Sequence, residues 1–331
     1  MNLRECYSLE NQRGDFFRSS FFKDILLASL ALFLMALAPH LGAVFLTFMP
    51  LPIIYYYAKY GRRKGLGIAV LSLAAVLVSL QALTPSPNLL LTAYLALAGF
   101  IIAELLEKKY SIERTVCSAA LAIFTIGILF LLYQAYYLGK APWDLIASSL
   151  EKKIRYSLQL SASLNISSEQ LDMIKENLPG IISILTNIFP ALFLVSLIFM
   201  VWVNLLAGRS LSRKFALPFP EFGDLSSWKA PEKMVWYLIA AGAMLLIPDA
   251  RTELVGGNTL IVILFFYLLA GLAIISFYLK KSHLPAVFRY LLYFLIFAQQ
   301  IVTLLVIAAG IFDLWADFRR LNTPLEEDST V

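Results

Sequence analysis

Few side chains able to do chemistry fall inside the apolar parts of this sequence, and they stand apart from one another. Glu104 lies near the end of the run Asn88 to Leu106. A carboxylate at mid-bilayer costs about 2.5–3.5 kcal/mol on insertion scales, so it is either functional or paired, and Lys108 four residues on offers a snorkelling ion-pair partner. Asn187 precedes Pro190 by three residues in the run Ile181 to Leu206. Proline frees the carbonyl about four residues earlier, at Thr186, for a polar neighbour. That pattern fits a buried kink held by Asn187 and also a substrate-facing notch. Gln299 and Gln300 stand near the middle of Ala286 to Ile311, with Thr303 three residues on. Adjacent residues on a helix project about 100° apart, so at least one carboxamide faces other helices or a cavity. His40 sits where Pro39, Pro50 and Pro52 interrupt two short apolar runs, the kind of place where transporters expose backbone to a cavity; a tight hairpin with a kinked second helix fits the same prolines. Asn187, Gln299, Gln300 and His40 are therefore the substrate-cavity candidates.

Other chemistries find no support. General acid–base catalysis needs convergent titratable groups, and no Ser/His or Asp/Asp spacing or Gly-rich phosphate loop occurs. His40 and His283 are far from any second ligand candidate, and Cys6 and Cys117 read as unpaired thiols. The expectation is a protein that is not an enzyme, with no metal and no cofactor. Without a basic patch interleaved with aromatics, nucleic acid is not an expected partner.

The elements that must position the candidates are membrane helices. With 60% hydrophobic residues and only 15% charged, and a mean hydropathy of +0.76, the composition is that of a polytopic membrane protein whose main partner is the lipid bilayer. Runs of roughly 17–25 apolar residues mark spanning helices because the bilayer core has no water for backbone groups. The fold class expected is all-α, a transmembrane bundle of about eight to nine spans. Gly42 to Tyr57 and Gly65 to Gln81 read as separate spans, with Gly65, Ala69, Ser72, Ala75 and Ser79 as a small-residue packing face. Gly256-Gly257 reads as a loose turn after the short segment Met234 to Ile247. The division is a cytoplasmic arm (1–23), an N-terminal bundle (24–138), amphipathic helices (139–180), a C-terminal bundle (181–312) carrying a connector (207–233), and a tail (313–331). In the amphipathic stretch Trp143, Ile146, Leu150 and Ile154 recur at helical spacing, and Ser167-x-x-Gln170 offers a capping box before Leu171, Ile174 and Leu178. Such helices form a passive surface layer or a lid over a cavity.

The net charge of +5 comes from basic residues clustered in short inter-helix segments, which points to orientation. A cytoplasmic N-terminus puts 19 of the 27 Lys and Arg inside, makes 207–233 cytoplasmic and makes 139–180 external. Nine spans leave the C-terminus outside with Arg319 and Arg320; eight bring it in. The first apolar run lacks a small-residue cleavage site, so the first helix is expected to stay. Within the connector, Phe222, Trp228 and Trp236 are large apolar groups in a segment too polar to span. They are candidate anchors for a soluble or membrane protein partner, or they pack back on the bundle.

The connector sequence PFPEFGDLSSWKAPEKMVW, with Pro218, Pro220, Phe222, Trp228, Pro231 and Trp236, and the closing GIFDLWADFRRL, with Asp313, Trp315, Asp317, Phe318 and Arg319, resemble the YybS-like family of bacterial polytopic membrane proteins. The first helices are distantly similar to the substrate-binding subunits of energy-coupling-factor vitamin transporters. That similarity implies binding or transport of a vitamin or metabolite at the plasma (inner) membrane. Those subunits present small residues on the first helix to a partner; here Ala28, Ala31, Ala36 and Ala38 lack a small-xxx-small spacing. The alternative is a membrane scaffold or assembly protein that docks a soluble partner through residues 215–236.

Overall fold

A computed structural model describes residues 21–37, 44–84, 88–162, 174–282 and 284–319. His40, His283, Cys6 and the Ser167 capping box lie outside the described residues. Among the described residues every regular element is helical. They are α1 (21–37), α2 (Val44–Thr47), α3 (Leu51–Leu83), α4 (Leu89–Glu107), α5 (Ile112–Leu138), α6 (Pro142–Ala162), α7 (Leu178–Lys214), α8 (Met234–Met244), α9 (Ala250–Lys281), α10 (Ala286–Ala298) and α11 (Gln300–Ala316), with a 3₁₀ turn at Leu225–Ser227. The chain forms two compact units, Met1–Ile128 with Ser196–Glu221 and Leu129–Val195 with Phe222–Val331.

Among the described residues five helical stretches are long and apolar enough to cross a membrane: Phe45–Leu83, which is kinked at Gly61, Leu89–Glu107, Ile112–Leu138, Leu178–Lys214 and Ala250–Lys281; the bent pair Val287–Ala298 and Gln300–Ala316 makes six if taken as one span. The sequence-based count of eight to nine is higher for identifiable reasons. It took the two arms of Phe45–Leu83 separately and included α1 and α8. With 11 residues, α8 is the shorter apolar helix among them.

In the first unit the two arms of α3 meet at Gly61, whose φ of 72° and ψ of 175° lie outside the helical region. A side chain resists that backbone, and glycine does not. The bend is tight: a Cβ added to Gly65 would lie 2.8 Å from the Cα of Tyr57, although eight residues span about 12 Å along a straight helix. Ile53, Tyr57, Ala69, Ala96 and Ala103 form the core between α3 and α4. Of the small-residue face Gly65, Ala69 and Ser72 are buried, Ala69 in that core and Ser72 with its hydroxyl donating to the Ile25 carbonyl of α1, whereas Ala75 is exposed. The Asn204 Nδ2 on α7 donates to the Thr47 carbonyl at 2.6 Å, which ties α7 to the end of α2.

In the second unit Asp249 caps α9, its carboxylate accepting from the Thr252 backbone N–H at 2.9 Å and hydroxyl at 2.8 Å. The helix therefore starts before Gly256-Gly257, and the loose turn expected there does not occur. Gly256 instead admits α8: a Cβ on it would fall 2.8 Å from Met244 Cβ. Further along, Gly271 and Gly310 let α9 and α11 cross backbone to backbone, with added Cβ atoms placed 2.1 Å from the Val306 and Tyr267 carbonyl oxygens.

One reading of the last apolar run is overturned. Ala286 to Ile311 is not a single helix with Gln299 and Gln300 inside it. Gln299 has extended dihedrals (φ −114°, ψ 111°), and the axes of α10 and α11 differ by 100°. Thr303 covers the break: its hydroxyl donates to the carbonyls of Ile296 and Gln299, and its N–H donates to Gln299. A threonine one turn into α11 thus satisfies the Ile296 carbonyl, which the Gln300 N–H would occupy if the helix continued.

Candidate functional site

The amphipathic stretch and the proline-bearing helix build one wall each of a cavity of about 500 Å³ in the second unit. Pro142 opens α6 at a position where its missing N–H is no loss. From α6 come Trp143, Asp144, Glu151 and Arg155; from the start of α7 come Ser183, Thr186 and Asn187. Glu151 and Arg155 pair at 2.8 Å one turn apart and leave the rim charged but balanced. The Thr186 hydroxyl is buried without a hydrogen-bond partner among the described residues. A buried, unsatisfied donor costs roughly 1–3 kcal/mol, so a polar group that reached it would bind there with advantage.

Pro190 shapes this wall through a residue that the sequence analysis did not single out. The Asn258 carboxamide on α9 donates to the Asn187 carbonyl at 2.8 Å and accepts from the Ala191 N–H at 2.9 Å. Those two backbone groups pair with each other in a regular helix, so Asn258 occupies the rung that the kink opens. The polar neighbour is thus Asn258, and the groups it serves are those of Asn187 and Ala191, while the Asn187 side chain is left exposed at the cavity. Asn258 is the sole Asn or Gln between 250 and 281, and that isolation was the available signal.

Of the other cavity candidates, Gln299 and Gln300 are exposed at the α10–α11 break and line neither cavity described here, and His40 is outside the described residues. A second cavity of about 560 Å³ lies in the first unit, lined by Tyr57, Lys59, Gly61, Glu107, Lys109 and Pro218–Glu221. Nearby, Glu104 pairs with Arg62 at 2.9 Å and accepts from the Tyr57 hydroxyl at 3.1 Å. The expected partner Lys108 instead stands over the Tyr110 ring, because the turn at Gly61 brings Arg62 to Glu104 and the helix ends at Lys108. Among the described residues no group of three His, Cys, Asp or Glu could hold a metal ion, and Cys117 is in no disulfide.

The connector and the closing motif are latched together. Arg319 is 4% exposed; its guanidinium donates to the Ser226 carbonyl at 2.7 Å, the Trp228 carbonyl at 2.9 Å and the Asp313 carboxylate at 2.7 Å. The other Asp313 oxygen accepts from the Phe318 N–H at 3.0 Å. Lys229 pairs with Asp317 at 2.5 Å, and Lys280 with Asp224. The Lys280 ammonium, together with the Ser226 N–H, holds the Asp224 carboxyl well below its usual 3.8, at about 2. Of the three candidate anchors, Phe222 is buried, Trp228 packs on the cluster of Ala230, Ala241, Ile263, Tyr267 and Ala270, and Trp236 is 70% exposed.

The connector and the start of the closing motif, as far as Asp313, lie in a stretch that a family model spans: the model described as "Predicted membrane protein (DUF2232)" matches residues 26–314. The chain belongs to that family. It is 23% identical over 293 residues to a protein of Bacillus subtilis (strain 168) titled "Uncharacterized protein YybS", a match that covers 85% of this chain and 90% of the relative. No solved structure matches. As a DUF2232 member the chain is an integral membrane protein, in keeping with its apolar helices, and it contacts the lipid bilayer.

Proposed function

We propose that this DUF2232 protein binds or transports a small molecule, of vitamin or metabolite size, at the plasma membrane, with its N-terminus cytoplasmic and α6 external. The observation that carries the proposal is the cavity between α6 and α7, where Ser183, Thr186 and Asn187 on one wall meet Asp144, Glu151 and Arg155 on the other, with the unsatisfied Thr186 hydroxyl buried behind its wall. A volume of about 500 Å³ lies within the range of small-molecule sites, and the lining mixes charged and polar groups such as Asp144, Arg155 and Ser183 with apolar ones such as Trp143, Leu178 and Ile182, a means of orienting a ligand. A ligand with an apolar body and both a donor and an acceptor fits this lining. The alternative, docking of a soluble partner through 215–236, retains Trp236 alone of its three candidate anchors Phe222, Trp228 and Trp236 as an exposed aromatic.

The test is thermal unfolding of the purified protein against a panel of vitamins and metabolites. A ligand at a hundred times its Kd stabilises by about 2.7 kcal/mol. At least one compound should raise the midpoint in the wild type and fail to do so in Thr186→Val. No shift from any compound, with normal uptake of the same compounds by cells lacking the protein, sinks the proposal.

A further inference from the structure

We propose that α10 and α11 form a re-entrant hairpin, which enters the bilayer from the face that carries the connector, turns at Gln299 and leaves by that same face, so that the C-terminus lies on the connector side. Three observations within the second unit carry this. The first is where the ends are. The carboxyl end of α9 is tied to the connector by Lys280, which reaches Asp224 and the Ser226 hydroxyl (3.1 Å). The end of α11 is tied to the same place: Arg319 to the Ser226 and Trp228 carbonyls, Lys229 to Asp317, and the Tyr278 hydroxyl to the Phe318 carbonyl at 2.6 Å. The chain therefore leaves α9 and finishes α11 on one face. An element whose two ends share a face has not crossed.

The second observation is depth. Ile296 near the end of α10 and Val306 on α11 share an apolar cluster with Leu268 and Leu272 of α9. Leu268 is about 20 Å along the helix from Lys281, so the break lies well inside the apolar layer and α10 does not simply lie along the surface. The third is length and angle. With 13 and 17 residues, α10 and α11 reach about 20 and 25 Å, each short of the roughly 30 Å core, and the 100° bend turns the second arm back. Non-helical backbone at such depth needs its polar groups satisfied, and the Thr303 hydroxyl does so at the Ile296 carbonyl while the Thr303 N–H serves Gln299. The outer side of the hairpin, with Val287, Phe288, Leu291, Phe294 and Phe297 exposed, is a surface for lipid acyl chains.

With the connector cytoplasmic, as the basic residues indicate, the hairpin places Arg319 and Arg320 inside and removes the only departure from the positive-inside pattern that a ninth span creates. The test uses the full chain with Cys6 and Cys117 replaced by Ser and single cysteines at Glu232 in the connector, Asp249 before α9 and Thr323 in the tail. Each is exposed to a membrane-impermeant maleimide in intact cells and again after permeabilisation. Glu232→Cys and Thr323→Cys should respond alike, both labelled only after permeabilisation, with Asp249→Cys labelled in intact cells. Opposite behaviour of Glu232→Cys and Thr323→Cys overturns the hairpin and makes α10–α11 a span. The otherwise unaltered chain gives a second reading: a C-terminal fusion to green fluorescent protein should fluoresce and one to alkaline phosphatase should be inactive. An active phosphatase together with a protected Glu232→Cys refutes the proposal.

Discussion

Arg319→Ala should release the connector. In the folded chain the Arg319 side chain is 0% and the Asp313 side chain 4% exposed, and the guanidinium serves three acceptors on two segments. Removing it leaves a carboxylate and two carbonyls without their donor in a site closed to water. Breaking a buried pair by deleting one partner costs about 3–5 kcal/mol. With tenfold per 1.36 kcal/mol, that raises the opening equilibrium of the latch by roughly two to nearly four orders of magnitude. Trypsin cleavage at Lys229 and Lys233 in the purified full-length protein reads this directly, because proteolysis follows the open population when opening is fast. Arg319→Lys should fall between, since one ammonium cannot reach all three acceptors in the planar geometry of a guanidinium. The double variant Asp313→Leu/Arg319→Met removes both charges and should recover most of the protection. If Arg319→Ala is cleaved within threefold of the wild-type rate, the latch is not held by this pair and the reasoning fails.

Other outcomes follow from named contacts. Asn258→Ala should lower stability by about 1–3 kcal/mol in thermal unfolding, because the Ala191 N–H and the Asn187 carbonyl lose their partner at the kink. Gly271→Ala should be severe, with the new methyl 2.1 Å from the Val306 carbonyl, whereas Gly242→Ala, with nothing within 4 Å, should leave the midpoint unchanged. Asp224 has a folded-state pKa depressed to about 2, so the stability it contributes is present above its usual 3.8 and lost as pH falls through about 2. The difference in midpoint between wild type and Asp224→Asn should therefore be constant from pH 5 to 8 and shrink towards pH 2.

Much of the fold was legible because the bilayer restricts it: apolar runs had to be helices, and the eight to nine spans expected are somewhat more than the five to six helices long and apolar enough to cross among the described residues. What the sequence concealed were joints set by tertiary contacts. Gly61 looked like any glycine in a basic loop, yet its left-handed backbone folds one arm of α3 onto the other. Gln299 looked like an interior helical residue because nothing nearby breaks helices; the break is sustained by Thr303 and by packing on α9. In the candidate site Asn187 and Pro190 were visible as a pair, since proline at mid-helix demands a polar response. Asn258, 67 residues beyond Ala191, was not, because no local pattern links it to the kink. The connector and closing motifs each stood out, but only the folded chain shows that Arg319 joins them.

The most direct test of the cavity is its access to water. In the chain freed of Cys6 and Cys117, single cysteines at Ser183, Asn187 and Ile184 are treated from outside with a small charged methanethiosulfonate, which reacts with the thiolate and so requires water at the site. Ser183 and Asn187 line the cavity, while Ile184 is 62% exposed on a different side of α7 and faces lipid in this account. The account predicts fast modification at 183 and 187, slow modification at 184, and protection of 183 and 187 by any compound that raises the unfolding midpoint. Unreactive cysteines at both 183 and 187 would show a dry, packed interface and contradict it.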